Sequence, residues 1–162
     1  NQLNLRQLAL LDDKIIAELE DVPHSTVAVL GLAFKPNTDD VRESPAIYVC
    51  RQLAEAGARV AAFDPVAIQP AAKILTNIPG DLTFAASAEE AIAGADALVI
   101  MTEWNEFRGL DLARARGLMR RPVLVDARNV LDPAQTCALG FTYVSTGRGR
   151  AEAAASKEMV GA

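Results

Sequence analysis

Histidine, cysteine and aromatic residues are scarce in this 162-residue chain: one His, two Cys, and 5% Phe, Trp and Tyr together. With His24 alone, a mechanism built on a histidine dyad or a multi-histidine metal site is excluded. Cys50 and Cys137 fall in different predicted helices and show neither a CxxC nor a Cys/His ligand spacing. They read as two reduced thiols of a cytoplasmic protein. No apolar run approaches the ~18 residues that a membrane span needs. The first residues also lack the basic region, apolar stretch and small-residue cleavage site of a signal peptide. Positive charge is not in excess: Lys plus Arg is 16 against 21 Asp plus Glu, a net charge of −5. With no basic stripe either, a nucleic-acid partner is not expected.

What the chain has instead is small apolar residues. Its hydrophobic fraction is 51%, and alanine alone supplies 30 positions. That content is far too apolar for disorder and suffices for one domain with a real core, built from small and β-branched residues as in layered α/β folds. The chain opens with Asn1-Gln2-Leu3-Asn4, not Met, and passes directly into helical periodicity, as expected for a piece of a longer protein.

Leu5, Leu8, Leu11, Ile15 and Leu19 recur at three- and four-residue steps with charges between them, which predicts an amphipathic helix ended by Pro23 and His24. Thr26 to Gly31 is a β-branched apolar run, a buried strand, followed by a polar loop from Ala33 to Glu43. Ser44-Pro45 starts a helix that stops at Gly57, with Ser as N-cap and Pro at the first helical position. A second strand, Arg59 to Phe63, closes at Asp64-Pro65. A helix from Ala67 to Asn77 and a weak third strand, Leu82 to Phe84, come next. Ser87 with Glu90 forms a capping box before a short helix that stops near Gly94. Ala97 to Met101 is the strongest strand after the first. A turn or short helix at 103–107, a helix from Leu112 to Met119, a fifth strand ending at Asp126, a helix capped by Asp132 and a last strand at 141–144 complete the pattern. Six alternations of strand and helix predict a Rossmann-like, doubly wound parallel sheet of about six strands, preceded by an N-terminal linking helix. The division expected is a linking segment at 1–22, the sheet domain at 23–146 and a flexible tail at 147–162. Ligands in such sheets gather beyond the carboxyl ends of the strands, which directs attention to the loops after Gly31, Asp64, Met101 and Asp126.

The first of these loops, Gly31 to Pro45, matches the dinucleotide glycine motif only at Gly31, so the usual pyrophosphate turn is absent. It carries Lys35 and Arg42 near a helix N-terminus, a combination suited to anions. Asp39, Asp40 and Glu43 are interleaved with them, and pairing of these charges with each other on a solvated loop is the alternative.

Four segments resemble a known family. They are Val29-Leu-Gly-Leu-Ala-Phe-Lys-Pro-Asn-Thr-Asp-Asp-Val-Arg-Glu-Ser-Pro45, the Val60 to Pro65 strand, Met101-Thr-Glu-Trp-Asn-Glu-Phe107, and Val125-Asp-Ala-Arg-Asn-Val-Leu-Asp132. In this order, over about residues 25–145, the chain is similar to the C-terminal domain of the nucleotide-sugar 6-dehydrogenases. These are the UDP-glucose dehydrogenases and their GDP-mannose and UDP-N-acetylmannosamine relatives, the Thr-Glu-Trp stretch being closer to the UDP-glucose branch. The resemblance implies a UDP-binding domain of an NAD-dependent enzyme that oxidises UDP-glucose to UDP-glucuronate in two hydride transfers, through a thiohemiacetal and a thioester on a cysteine. It implies an N-terminal NAD-binding domain, a central dimerisation domain and a homo-oligomeric full-length protein. Carried onto this chain, it assigns Phe34 and Lys35 to contact with the UDP-sugar and Arg128 to a substrate contact, with Asn129 beside it as the less certain neighbour. Arg42 is assigned to contact with NAD.

The family's nucleophile motif, ending Cys-x-Pro-Lys-Asp, occurs nowhere in this sequence, so no catalytic residue is expected here and the chain alone is expected to be inactive. Alternative readings are a stand-alone, non-catalytic nucleotide-binding module, or the same domain of a GDP-mannose or UDP-N-acetylmannosamine dehydrogenase. Several residues keep two readings each. Asp64 suits an Asp-Pro turn or a ribose-binding acid, Trp104 an anchor or a base-stacking ring, and Glu103 a structural loop or a general acid. Arg108, Arg114, Arg116, Arg120 and Arg121 suit a solvated face or an anion cluster.

Overall fold

A computed structural model describes residues 5–146 and 149–153. Helix α1 (Leu5–Leu19) leads through a single 3-10 turn at Val22–His24 into β1 (Thr26–Leu30). There follow α2 (Pro45–Glu55), β2 (Arg59–Phe63), α3 (Ile68–Ile74), β3 (Asp81–Phe84), α4 (Ala88–Ile92) and β4 (Ala97–Ile100). The second half holds α5 (Asn105–Arg108), α6 (Leu112–Leu118), β5 (Val123–Asp126), α7 (Pro133–Ala138), β6 (Thr142–Ser145) and β7 (Gly149–Ala151).

The strands form one sheet in the order β3-β2-β1-β4-β5-β6-β7. The first six are parallel, and their order is that of the doubly wound dinucleotide fold, with the reversal between β1 and β4. The seventh strand, β7, is antiparallel to β6, pairing Ser145 with Gly149 and Tyr143 with Ala151. It lies in the segment expected to be a flexible tail. Three residues of Gly, Arg and Ala carry no apolar alternation, so nothing local announces a strand there; the remainder of that tail, 147–148 and 154–162, lies outside the described residues. A tertiary ion pair of Arg150 Nε with Glu18 on α1 (2.6 Å) anchors it.

The core follows the sequence pattern. Val27 to Leu30 and Ala97 to Ile100 are fully buried, and buried alanines such as Ala58, Ala62, Ala71 and Ala95 let helices and turns come close to the sheet. On α1, Leu8, Leu11, Ile15 and Leu19 form the buried stripe that the three- and four-residue spacing implies. The helix stops earlier than Pro23, where Glu20 turns left-handed (φ +67°), and Arg121 satisfies the last turn by donating to the carbonyls of Glu18 (2.9 Å) and Leu19 (3.0 Å). Ser44 accepts from the Ala46 N–H, Ser87 from the Glu90 N–H and Asp132 from the Gln135 N–H, so each sequence-read cap is made. The Glu90 carboxylate reaches back one residue further than the standard capping box, accepting from the Ala86 N–H. Among the described residues no helix is long and apolar enough to cross a membrane.

Candidate functional site

Strands β2, β1, β4 and β5 are neighbours, and their carboxyl ends deliver four loops to one edge of the sheet. Two buried aspartates shape that edge. Asp64, immediately after β2, accepts five hydrogen bonds: Oδ1 from the N–H groups of Val66 and Ala67, and Oδ2 from those of Leu32 and Ala33 and from the Trp104 indole. Asp126, the last residue of β5, accepts from the Arg128 and Val130 N–H groups on Oδ1. Its Oδ2 takes the Leu131 N–H and the Tyr143 hydroxyl. A carboxylate has acceptor sites only, so each matches a loop that turns its N–H groups inward. Asp64 therefore organises its turn and the loop after β1, and Trp104 is an anchor. The ribose and base-stacking alternatives for these two residues fail because both are buried and already bonded to each other.

Gly31 makes the closest approach at the edge. Its φ is +101°, and a Cβ there would sit 2.5 Å from Thr102 Oγ1 and 2.6 Å from the Thr102 backbone nitrogen. Thr102 in turn donates its hydroxyl to the Ala33 carbonyl at 2.8 Å. Gly31 therefore packs the loop after β1 directly against Thr102, and the acid at the end of β2 is sealed by five hydrogen bonds. The residues present thus do not build an NAD cradle of the usual Rossmann kind.

Beyond Ala33 the loop bulges outward, closed by the Phe34 N–H donating to the Asp40 carbonyl (2.7 Å), with Asn37 and Glu43 in left-handed conformations. Phe34 is half-buried, and Lys35 is exposed with no ion pair among the described residues. Arg42 is exposed too, but forks onto Asp40 with both contacts at 3.1 Å. The Arg42 hydrogen bonds hold the Asp40 carboxyl below its ordinary range. Arg42 therefore pairs within the loop, and Lys35, whose charge also acts on Asp40, makes no ion pair among the described residues and can still meet an anion.

Arg128 stands on the β5–α7 loop, its N–H held by Asp126, and donates through Nε and Nη2 to the two oxygens of Glu103 at 3.1 and 3.2 Å. Partial burial opposes ionisation of Glu103, but the Arg128 hydrogen bonds, a bond to its own backbone N–H and the Arg128 and Arg108 charges outweigh it and keep the carboxyl below its usual range. That state does not suit a general acid at neutral pH. Asn129, next in the chain, is exposed in a left-handed conformation.

The remaining arginines do not gather into one anion site. Arg114 pairs with Glu89, Arg120 with buried Asp96 at the amino end of β4, and Arg121 with the end of α1. His24, which had no visible partner in the sequence, pairs with Asp21 at the surface. Thr102 and Asp126 escaped the sequence reading as site-shaping residues. The available signal was a repeated pattern: an apolar strand ending in Asp, as in Phe63-Asp64 and Val125-Asp126, ahead of a polar loop.

Residues 28–133 match the UDP binding domain of the UDP-glucose/GDP-mannose dehydrogenase family. The chain is 50% identical over 128 residues to the UDP-glucose 6-dehydrogenase of Rhizobium meliloti (strain 1021), covering 79% of this chain and 28% of that protein. It is 40% identical over 147 residues to the UDP-glucose 6-dehydrogenase YwqF of Bacillus subtilis (strain 168), covering 91% and 33%. Among solved structures, a UDP-glucose dehydrogenase from Pyrobaculum islandicum superimposes with a TM-score of 0.67 at 35% identity, over 77% of this chain and 27% of that one. The chain thus spans about a third or less of the length of these relatives. With its motifs, its strand order and this match in agreement, the chain belongs to the UDP-glucose/GDP-mannose dehydrogenase family and corresponds to its UDP-binding domain.

Proposed function

We propose that this chain is the nucleotide-sugar-binding part of an NAD-dependent UDP-glucose 6-dehydrogenase, the whole protein oxidising UDP-glucose to UDP-glucuronate. The observation that carries the proposal is the pairing of a free cation with a fixed one at the switch point. Lys35 projects from the loop after β1 without an ion pair among the described residues, and Arg128 is held on the loop after β5 by Asp126 and Glu103. Both cations can give a diphosphate charge-assisted hydrogen bonds at this edge. Phe34, half-buried beside Lys35, offers an apolar surface to the uridine or the sugar. Fixing a diphosphate at two points orients the sugar beyond it, which is the contribution of this domain to rate. The identities of 50% and 40% to UDP-glucose 6-dehydrogenases favour UDP-glucose over mannose or N-acetylmannosamine nucleotides.

Neither Cys50 nor Cys137 carries the neighbours of the family's nucleophile motif. Cys50 is fully buried in α2, and burial pushes its thiol up to about 12, so no thiolate forms there at neutral pH. The reacting groups and the NAD cradle belong, in this proposal, to preceding domains, which also assemble the protein into a homo-oligomer. Arg42, exposed at the rim, reaches NAD from this side.

Calorimetric titration tests the assignment. UDP is expected to bind the chain, and Lys35→Ala to weaken it by about tenfold, the loss expected for one charge-assisted hydrogen bond. Equal titrations sink the role of Lys35. An NAD-reduction assay of the chain with UDP-glucose is expected to show no turnover, and turnover would contradict the placement of the chemistry elsewhere.

A further inference from the structure

We propose that Thr102-Glu103-Trp104 is a positioning bridge that ties the Lys35 loop and the Arg128 loop to one another through the end of β4. The inference rests on the proposed role of these two cations in UDP binding and goes beyond it, because none of the three bridging residues touches the ligand in that proposal.

Strand order makes this the one place for such a bridge. The sheet runs β2-β1-β4-β5, so the loops carrying Lys35 and Arg128 leave from strands separated by β4. Only the segment leaving β4 borders both. Thr102 and Trp104 bond toward the β1 and β2 side, through Ala33 and Asp64, and Glu103 bonds toward the β5 side, through Arg128.

On the β1 side, the backbone is held on both sides of Ala33. Its carbonyl accepts the Thr102 hydroxyl (2.8 Å), and its N–H donates to Asp64 Oδ2 (3.0 Å). That same oxygen takes the Trp104 indole N–H at 3.1 Å. Phe34 and Lys35 therefore leave the sheet from a backbone whose position Thr102 and Trp104 set. Thr102 and Trp104 are both buried, so water does not compete for these bonds.

On the β5 side, Glu103 takes Nε and Nη2 of Arg128, a two-point contact between partners whose side chains are each 28% exposed. The fork fixes the guanidinium plane and leaves Nη1, which makes no hydrogen bond among the described residues, for another acceptor. An arginine already ordered loses less freedom when an anion arrives. Glu103 also places a negative charge near the anion. If that repulsion dominated, removing the charge would tighten binding, and this opposite sign makes the proposal testable.

UDP titrations of Glu103→Gln, Arg128→Ala, the double variant and Thr102→Val decide it, with amide and Arg Nε–H exchange followed by NMR. Glu103→Gln is expected to weaken UDP about tenfold with an unchanged melting midpoint, and to cost nothing further in the Arg128→Ala background. A residue that only stabilised the fold would give additive losses. Thr102→Val is expected to weaken UDP severalfold and to speed exchange at Phe34, whose N–H closes the loop. Protection of the Arg128 Nε–H is present in the unmodified chain and lost in Glu103→Gln. Unchanged or tighter UDP binding by Glu103→Gln, or losses that add in full, would overturn the bridge. If Arg128→Ala binds UDP as well as the unmodified chain, the ligand role of Arg128 fails instead. The exchange data then judge the bridge alone: protection lost in Glu103→Gln upholds it as a structural link, and protection retained refutes it.

Discussion

Replacing Asp64 by Asn exchanges one buried acceptor for a donor at the most heavily used side chain of the edge. Five donors converge on the carboxylate, two on Oδ1 and three on Oδ2. All five are N–H groups that cannot reverse their polarity, so either orientation of the amide sets its NH2 against them. The cheaper orientation faces the Val66 and Ala67 pair and leaves one buried and one part-buried N–H group without an acceptor. Each unsatisfied group costs about 1–3 kcal/mol, and the relief of no longer burying a charge offsets part of that, leaving a net loss of about 3 kcal/mol. For a chain of this size that lowers the melting temperature by about 6–12 °C. Asp126→Asn is the internal control, since it has four donors and one of them is the Tyr143 hydroxyl, which can turn and accept from the new amide. Only the Leu131 N–H then lacks its acceptor, and the expected loss is about 1–2 kcal/mol. Urea unfolding of both variants with unchanged m-values measures the difference. An Asp64→Asn chain within 1 kcal/mol of the original, or one less damaged than Asp126→Asn, would refute the donor accounting.

Gly31→Ala is expected to destabilise the chain by about 3 kcal/mol, because the new Cβ meets Thr102 at 2.5–2.6 Å while φ stays at +101°. Adding Thr102→Gly, which removes both side-chain contacts, does not rescue it, since the residue 102 backbone nitrogen alone is 2.6 Å away; rescue in a denaturation assay would show that the contact is only with the side chain. Asp12 on α1 is buried with its Oδ1 unpartnered, and burial first, then the Asp13 charge, raises its pKa from 3.8 to about 6. A raised acid destabilises the folded state above its folded pKa, and the penalty fades as pH falls from about 6 to 4. Asp12→Asn is therefore expected to gain about 1–2 kcal/mol at pH 7 and nothing at pH 4, measured by urea unfolding at both values; an equal gain at both would contradict the titration. A thiol reagent at pH 8 is expected to label Cys137, which is half-buried, and to spare Cys50 until the chain is unfolded; rapid labelling of both in the folded chain would show that α2 opens.

Local grammar made most of the fold legible. The period of α1, the Ser44-Pro45 and Asp132-Pro133 helix starts and the apolar strands at 26–30 and 97–100 are signals carried within a few residues, and the structure places elements at each. The β7 strand was not legible, because its pairing comes from β6 and its anchor from Glu18, 132 residues away in sequence. At the site, Lys35 and Arg128 were identified by resemblance, and the chain's geometry sets them on loops of strands that flank β4. The two meanings of Glu103, Trp104 and Asp64 stayed open in the sequence because each depends on a partner 25 to 40 residues distant.

The sequence by itself determined the alternation of strands and helices, the caps, the scarcity of nucleophiles and the family motifs. Each of these is set by side-chain chemistry within one element or one loop. The tertiary structure alone decided that β4 lies between the two cation-bearing loops, that Thr102 occupies the hollow of Gly31, and that Glu103 spends its charge on Arg128. Buried apolar strands are nearly interchangeable in pattern, so their order follows from packing the whole sheet at once, and a carboxylate or an indole acquires its role only from the donor or acceptor which that packing brings within 3 Å.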